Sequence, residues 1–449
     1  MDKDLIVDAG ERLMKLAEQA AGESEAFITV KNTHKSTYEN GNMKIASEII
    51  DAGCGVRSII DGKTGFAHVT TLEKEELKKT LEQAISNAKS ACSDPGFKSL
   101  PGRNDLQNIR DIYDPAINSL QPEQIVQILM RTVNSSKEEL VDYKTVYYAE
   151  ISAITTWKSI CNTSGMSVFS KETEMWLVAD CTIKQSGKQA NSTEFKGARK
   201  IDLLDPEQLG KKAAIKTRDL LGAKKTENGY MPVLFTPDSV ETLFGRRGLA
   251  RALKATEVQQ KNSYLVDAMG EVLACEALEI TDDALLPGGL NSRPFDDEGV
   301  ASTKTEIISK GVLKSLLYDS YSACKDKTMN TANAKRKNYS DMPEIAPSNL
   351  IISPGQGSQQ DLISEIKEGI LCQATGDVPD LLTGNLSALV FEGFYIKQGE
   401  IKYPVKNTLI GTNILDLMNN VMIIGNDARE VFSVRSPSII VDSCKITSG

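Results

Sequence analysis

The chain has 449 residues, 40% of them hydrophobic and 25% charged, which is enough for two or three domains that each bury a core. Its 52 Lys and Arg against 61 Asp and Glu give a net charge of −9. This balance argues against a nucleic-acid-binding protein, because binding to the phosphate backbone needs a concentrated basic surface. No apolar run approaches the roughly 20 residues of a membrane helix, and the first residues lack a secretory signal pattern. We therefore expect a cytoplasmic protein that binds neither nucleic acid nor membrane.

One basic cluster and eight cysteines could modify this expectation. Lys335, Arg336 and Lys337 are adjacent, and we interpret them as part of a solvated loop. The cysteines are spread almost evenly and form no C-x-x-C pair, unlike the dense cysteines of a disulfide scaffold. They are typical of reduced and mostly buried thiols.

The first half of the chain predicts a helix, a run of strands and a helix, and then the same order again. The first unit has predicted helices over 4–20 and 73–91, with strands at 26–30, 36–40, 53–60 and 65–71. The second unit has predicted helices over 121–136 and 205–223, with strands at 144–152, 156–164, 166–173 and 175–183. The recurrence suggests two related lobes, although unrelated α+β domains also show this order of elements.

The second half predicts strands joined by tight turns, with only short helices between them. One predicted hairpin turns at Lys310-Gly311 and another at Gln398-Gly399, and an apolar strand at 438–442 lies near the end of the chain. The predicted secondary structure therefore changes from strands flanked by helices in the first half to a strand-rich region in the second.

These patterns predict an α+β fold with antiparallel or mixed sheets and flanking helices. An N-terminal α+β domain would span residues 1–226, with two possible lobes at 1–95 and 118–226. A strand-rich C-terminal domain would follow at 227–449.

The stretch MPVLFTPDSVETLFGRRGLARAL, residues 231–253, predicts a short strand followed by a helix. Thr236 and Pro237 are typical of a helix N-cap and of the first helical position. A zinc-binding helix of a metallopeptidase would carry two histidines on one face, with a glutamate beside the first. The same face of this helix offers Glu241, Thr242, Arg246 and Arg247.

Histidine, a common zinc ligand and catalytic base, is scarce in this chain. The sequence contains two histidines, His34 and His68, both in the first lobe, and we interpret each as an ordinary strand residue. There is no G-x-S-x-G nucleophile elbow and no complete dinucleotide or phosphate loop. The sequence therefore shows no familiar catalytic motif of its own.

The densest group of carboxylates in the second half consists of Asp296, Asp297 and Glu298. This triplet could hold a cation or receive a basic group of a peptide, which makes its members candidates for substrate binding. The alternative, which we favour from the sequence, is a solvated turn in which Gly299 takes a positive φ.

Four long segments, in the same order, resemble the family of TldD and TldE proteins, the latter also known as PmbA. The first segment is GCGVRSIIDGKTGFA at 53–67. The others are RPFDDEGVASTKTEIISKGVLKSLLYDSYSA at 293–323, TGNLSALVFEGFYIKQG at 383–399 and GEIKYPVKNTLIGTNILDLMNNVMIIGND at 399–427. These "modulator of gyrase" proteins are regarded as peptidase subunits, and the resemblance extends from about Asp51 to the end of the chain.

The resemblance implies which positions would hold zinc. TldD-like chains of the family carry an H-E-x-x-x-H helix and a later cysteine ligand. Glu241 and Arg246 stand where the two histidines would be, Thr242 stands where the glutamate would be, and Ser436 or a neighbour stands in place of the cysteine. Since Thr is not a general base and Arg does not ligate zinc at neutral pH, these are degenerate metal positions.

The chain is thus similar to the TldE/PmbA type, which the resemblance implies to be a subunit without metal. A TldD-like partner would hold the zinc, peptides would be the substrates, and the chain alone could form a homodimer. This subunit would shape the chamber that receives unfolded or extended peptides. The alternatives are an independent hydrolase with an unrecognised site around 296–298, or an interaction protein that modulates a topoisomerase.

Overall fold

The computed structural model describes residues 3–19, 22–94, 96–97 and 99–449, and it shows the predicted α+β fold. The helices are α1 Lys3–Ala17, α2 Lys74–Ser90, α3 Pro115–Asn118, α4 Pro122–Glu139, α5 Pro206–Asp219, α6 Pro237–Phe244, α7 Leu249–Ala252, α8 Ala255–Gln259, α9 Ser320–Asp326, α10 Gln359–Glu365 and α11 Ile414–Asn419. A 3₁₀ helix spans Ile201–Leu203.

The strands are β1 Glu23–Glu39, β2 Asn42–Ile60, β3 Lys63–Val69, β4 Lys144–Asn162, β5 Ser167–Gln185, β6 Lys188–Ala198, β7 Gly229–Phe235, β8 Ile280–Asp283, β9 Lys304–Ser309, β10 Val312–Leu313, β11 Ala334–Lys335, β12 Glu344–Ile345, β13 Leu350–Ile352, β14 Glu368–Thr375, β15 Asn385–Lys397, β16 Glu400–Pro404, β17 Thr408–Asn413, β18 Val421–Ile424, β19 Arg429–Val431, β20 Val434–Ser436 and β21 Ile439–Ser448.

The two helix–strands–helix units of the first half share one antiparallel sheet of six strands. Its order is β3-β2-β1-β4-β5-β6, so the first strand of each unit pairs with the other at the centre. Within each unit the three strands form a meander, and helices flank it before and after. The recurrence in the sequence therefore corresponds to two matching halves of a single sheet.

The strands of this sheet are longer than the sequence pattern predicts. β1 runs through the predicted segments at 26–30 and 36–40 as far as Glu39, and β4 runs through those at 144–152 and 156–164 as far as Asn162. The prediction of separate strands is wrong because polar residues within a long strand were interpreted as breaks. Lys31, for example, remains in β1 and lines a polar cavity on one face of the sheet.

The helices of this half begin close to the predicted positions, although α5 ends at Asp219 and not at residue 223. Pro122 and Pro206 each occupy the first helical position, where their missing N–H costs nothing, and Asp205 caps α5 by accepting a hydrogen bond from the Gln208 N–H. α1 ends at Ala17, so the predicted helix over 4–20 is too long at its end. Residue 20 of that prediction lies outside the described residues.

The C-terminal part is rich in strands, as predicted. β14, β7, β21, β17 and β15 pair in a closed ring, because β14 pairs with both β7 and β15. A second, mixed sheet has the order β10-β9-β8-β13-β20-β19. The predicted hairpins at Lys310-Gly311 and Gln398-Gly399 are both present, with positive φ at all four turn residues.

Two further features bear on the expectations from composition. In the ranges that the structure describes, none of the helices is both long and apolar enough to cross a membrane. All eight cysteines are unpaired, and five of them are buried, in agreement with the prediction of mostly buried thiols.

Candidate functional site

The helix that resembles a zinc helix is α6, and it is shorter than the sequence pattern suggests. It begins with Pro237 and ends at Phe244, so Arg246 and Arg247 lie beyond its end. Thr236 occupies the N-cap position as predicted, but its hydroxyl donates to the Gln373 carbonyl at 3.1 Å instead of capping the helix.

Glu241, Thr242 and Arg246, the residues at the positions of the zinc helix, have different environments. Thr242 donates its hydroxyl hydrogen to the Thr375 carbonyl at 3.1 Å, and Arg246 is exposed. Glu241 is partly buried, and burial together with nearby Asp238 raises the pKa of its carboxyl to about 7, while Arg247 opposes the shift. Glu241 is thus the one side chain of the three with a carboxylate, and its charge is disfavoured.

Ser436 lies in a strand next to this helix. It is fully buried in β20, where it pairs with Arg429 of β19, and its hydroxyl has no hydrogen-bond partner within the described structure. Arg429 forms an ion pair with Asp238 of α6, which fixes the helix against these two strands. The fold therefore brings α6 and the strand of Ser436 together.

The residues at these positions do not fit a zinc ion. Zinc sites in proteins use Cys, His and carboxylate ligands, usually three or four of them. Here the donors are one carboxylate, two hydroxyls and a guanidinium. Within the described ranges, no group of three or more His, Cys, Asp or Glu side chains is placed to hold a metal.

The two histidines lie on separate stretches of the N-terminal sheet. His34 on β1 pairs with Glu48, whereas His68 on β3 pairs with Gly55 further along β2. His34 approaches the Glu48 carboxylate at 3.6 Å, and His68 stacks on Phe66. The structure does not bring the two imidazoles to one place.

The acidic triplet is buried, so its interpretation as a solvated turn is wrong. Asp296, Asp297 and Glu298 are exposed by 2% or less, although Gly299 does have the expected positive φ of 82°. Asp296 accepts backbone hydrogen bonds from Glu298, Val300 and Ala334 at 3.0–3.1 Å. Its carboxylate therefore organises the turn itself.

Asp297 is held by basic groups from both halves of the chain. Its carboxylate contacts the Lys158 ammonium of β4 at 2.7 Å and accepts the Arg336 backbone N–H at 2.7 Å. Burial favours the neutral acid, but Lys158, Lys335 and Arg293 outweigh it and hold the pKa of Asp297 below its ordinary value. Asp297 is thus an ionised carboxylate that forms a buried ion pair with Lys158.

Glu298 takes part in a chain of buried ion pairs. Arg57 of β2 contacts Glu298 and Glu25 at 3.0 Å each, and Glu25 also pairs with Arg336. Arg336 is 3% exposed, so the expectation that its basic cluster is a solvated loop is wrong for this residue. The ion pairs connect the sheet of the first half to loops of the second half.

The sheet register explains why these groups meet. Glu25 pairs with Arg57 across β1 and β2, and Thr29 pairs with Lys158 across β1 and β4. Paired residues of antiparallel strands point to the same face, so Glu25, Arg57 and Lys158 all face the C-terminal part.

Sequence reasoning missed Glu25, Arg57 and Lys158, yet one signal was present. Gly53, Gly55 and Arg57 alternate along β2, within the first segment that carries the family resemblance. A Cβ on Gly53 would lie 2.4 Å from the Tyr339 ring, and one on Gly55 would lie 2.2 Å from the Tyr339 carbonyl oxygen. Alternating glycines in a strand indicate a close approach by another segment, which here is the loop after β11.

Two family models match this chain. Residues 228–448 match the model described as PmbA/TldA metallopeptidase C-terminal domain, and residues 24–88 match PmbA/TldA metallopeptidase domain 1. The first of these contains α6, Ser436 and the acidic triplet, and the second contains Glu25 and Arg57.

Full-length relatives and solved structures agree with these matches. Metalloprotease PmbA of Escherichia coli O157:H7 is 24% identical, over 99% of this chain and 96% of its own. A metalloprotease of Methanocaldococcus jannaschii is 25% identical, over 93% of this chain and 92% of its own. The crystal structure of TldE from Thermococcus kodakarensis has a TM-score of 0.91 at 23% identity and covers 98% of this chain and 100% of that one. A Thermotoga maritima structure described as a candidate modulator of a DNA gyrase has a TM-score of 0.88 at 24% identity, covering 98% and 99%.

Proposed function

The chain belongs to the PmbA/TldD metallopeptidase family, and we propose that it is the TldE/PmbA-type subunit of a zinc peptidase. In this proposal a TldD-like partner holds the zinc, and the assembly cleaves unfolded or extended peptides in the cytoplasm. The single observation that carries the proposal is the donor set beside α6, where Glu241, Thr242, Arg246 and Ser436 do not suit zinc.

In this proposal the subunit shapes the chamber that receives the substrate and provides a surface that binds extended peptides. β3 pairs with β2 from Cys54 to Ile60. Within the described residues no strand pairs with the outer edge of β2 over 42–53, where Ile45, Ile49 and Ile50 are exposed. An extended peptide or a partner strand could add to such an edge through main-chain hydrogen bonds, which are specific for shape more than for sequence.

The alternative of an independent hydrolase has less support. Its best candidates, Asp296, Asp297 and Glu298, are buried and already occupied by backbone N–H groups or by basic side chains. A topoisomerase modulator is suggested only by the description of relatives such as the Thermotoga maritima protein. We therefore favour the peptidase subunit.

The test is to measure metal content and peptide cleavage for the purified chain, for a TldD-like protein, and for their mixture. We expect stoichiometric zinc only in the TldD-like protein and cleavage of an unstructured peptide in the mixture. The Glu241→Gln variant should leave the cleavage rate of the mixture within about twofold, since a residue that is not a zinc ligand carries no transition-state stabilisation through the metal. Light scattering of the chain alone would show whether it forms a homodimer.

Alanine substitutions at the zinc ligands of the TldD-like protein serve as the control and should abolish cleavage. Stoichiometric zinc and peptide cleavage in the isolated chain would overturn the proposal. So would equal cleavage with and without this chain, because a dispensable protein is not a subunit of the enzyme.

A further inference from the structure

A polar cavity of about 260 Å³ lies between the N-terminal sheet and the C-terminal part. One wall comes from the sheet face that carries Thr29 and Lys158, and the opposite wall includes Arg293 and Lys335. The buried ion pairs described above form one side of this cavity, since Asp297 also lines it. The cavity is therefore built by both halves of the chain.

The cavity is electropositive although the whole chain is acidic. Among the residues that the structure describes, seven Lys or Arg side chains line it, against four Asp or Glu side chains. The chain as a whole has a net charge of −9. A surplus of cations around a small, partly enclosed space creates a site where an anion is strongly favoured, because protein walls screen charge less than water does.

Three of these cations already have an acidic partner. Lys158 pairs with Asp297, Arg199 pairs with Glu172 at 3.2 Å, and Arg336 pairs with Glu25. The carboxylates of Asp297, Glu172 and Glu25 are thus already neutralised by ion pairs with these cations. The surplus of positive charge remains on the other basic side chains.

Two of the remaining cations, Lys335 and Arg293, line the cavity and keep donors without a partner in the described residues. Lys335 belongs to β11, and its ammonium has no hydrogen bond or ion pair to any residue in the described ranges. Arg293 is 3% exposed, donates from Nη2 to the Ala332 carbonyl, and has an Nε with no hydrogen-bond partner there. A buried donor without a partner is costly, and a bound acceptor would remove that cost.

We propose that this cavity binds an oxyanion, a carboxylate or phosphate group, through Lys335 and Arg293. Arg favours such groups because its planar donors match their oxygens, and Lys provides a point charge. The hydroxyls of Thr29 and Thr156 line the same wall and add donors of suitable kind. Two sources of this chemistry are a free phosphate ion and the terminal carboxylate of a peptide.

The protonation of Lys335 agrees with this assignment. Burial lowers the pKa of its ammonium, Asp297 and Glu172 raise it, and the neighbouring Arg293 and Lys158 lower it further. An anion in the cavity would offset both effects and stabilise the charged lysine. The site goes beyond the proposed function, because it requires neither zinc nor a partner subunit.

The experiment is calorimetric titration of the full purified chain with inorganic phosphate, at a constant ionic strength set with sodium chloride. Parallel titrations use an unstructured peptide with a free carboxyl terminus and the same peptide with an amidated terminus. We expect saturable binding of one equivalent of phosphate or of the free-carboxylate peptide. Binding of phosphate identifies a free anion as the source, whereas preference for the free over the amidated peptide identifies the peptide terminus.

The variant Lys335→Gln should weaken this binding at least tenfold, and Lys335→Arg should retain most of it. The matched control is Lys314→Gln, which removes the same charge from an exposed lysine outside the cavity and should leave binding unchanged. Circular dichroism of each variant confirms that it is folded. The proposal is overturned if neither ligand binds saturably, or if Lys335→Gln and Lys314→Gln bind alike. Neither result would affect the test of the peptidase subunit, which depends on zinc and cleavage.

Discussion

Arg57 shows how a single side chain connects the two halves of this protein. Its guanidinium is buried between the carboxylates of Glu25 and Glu298, which are 32 and 241 positions away in the chain. Burial opposes its charge, but the two carboxylates outweigh burial and raise the pKa of Arg57 above its ordinary value. A buried ion pair is expensive to break from one side, because the remaining charge stays unpaired in a medium of low polarity.

We predict that Arg57→Met lowers the free energy of unfolding by about 3–5 kcal/mol, since it leaves two buried carboxylates with reduced compensation. Urea denaturation at neutral pH measures the change. The matched control is Arg12→Met, whose ion pair with Asp8 at 3.3 Å lies on the surface and should contribute little. Equal and small effects of the two substitutions would contradict the prediction.

The sequence predicted only part of this arrangement. The acidic triplet was identified as the densest carboxylate group, but its ion-pair partners Arg57 and Lys158 were not. Each of these two residues is more than 100 positions from its carboxylate partner, and pattern analysis covers windows much shorter than that. Ion pairs between distant residues depend on which remote segment packs on a given face of the sheet, and local sequence patterns do not show that.

At the scale of elements, the close contact between β3 and α2 depends on one glycine. A Cβ on Gly65 would lie 2.2 Å from the carbonyl oxygen of Ala84 and 2.2 Å from the amide nitrogen of Ala88. Both atoms belong to the backbone of α2, which cannot give way as a flexible side chain could. Gly65 therefore sets the distance at which this helix packs on the sheet.

We predict that Gly65→Ala destabilises the protein by about 1–3 kcal/mol, because the helix must shift away from the sheet to admit a methyl group. Thermal unfolding followed by circular dichroism measures the loss. Gly102→Ala is the control, since no atom of the described residues lies within 4 Å of a Cβ at that position. A loss that is the same at both positions would mean that β3 and α2 are not closely packed.

On the scale of the whole molecule, the N-terminal and C-terminal parts share a hydrophobic core. One cluster of buried side chains includes Leu177 and Leu209 of the first part together with Leu371 and Phe394 of the second. The buried ion pairs lie across the same boundary. Removing either part would expose apolar surface and unpaired charge on the other.

We predict a single cooperative unfolding transition for the intact chain, with equal calorimetric and van't Hoff enthalpies. Differential scanning calorimetry is the measurement. Arg57→Met should move this transition to lower temperature as a whole, because the ion pairs it breaks join both parts. Two separate peaks in the wild-type protein would show that the parts unfold independently.

Sequence patterns were enough to predict the α+β class, the helix starts at Pro122 and Pro206, the turns at Lys310-Gly311 and Gln398-Gly399, and the family. These features rest on local turn chemistry, helix capping and periodicity, which act over a few residues. The single strand over 26–39, the burial of the triplet 296–298 and the basic cavity beside it became visible in the folded chain. Burial and ion pairing depend on which distant segments come into contact, and the strand register across the sheet sets those contacts.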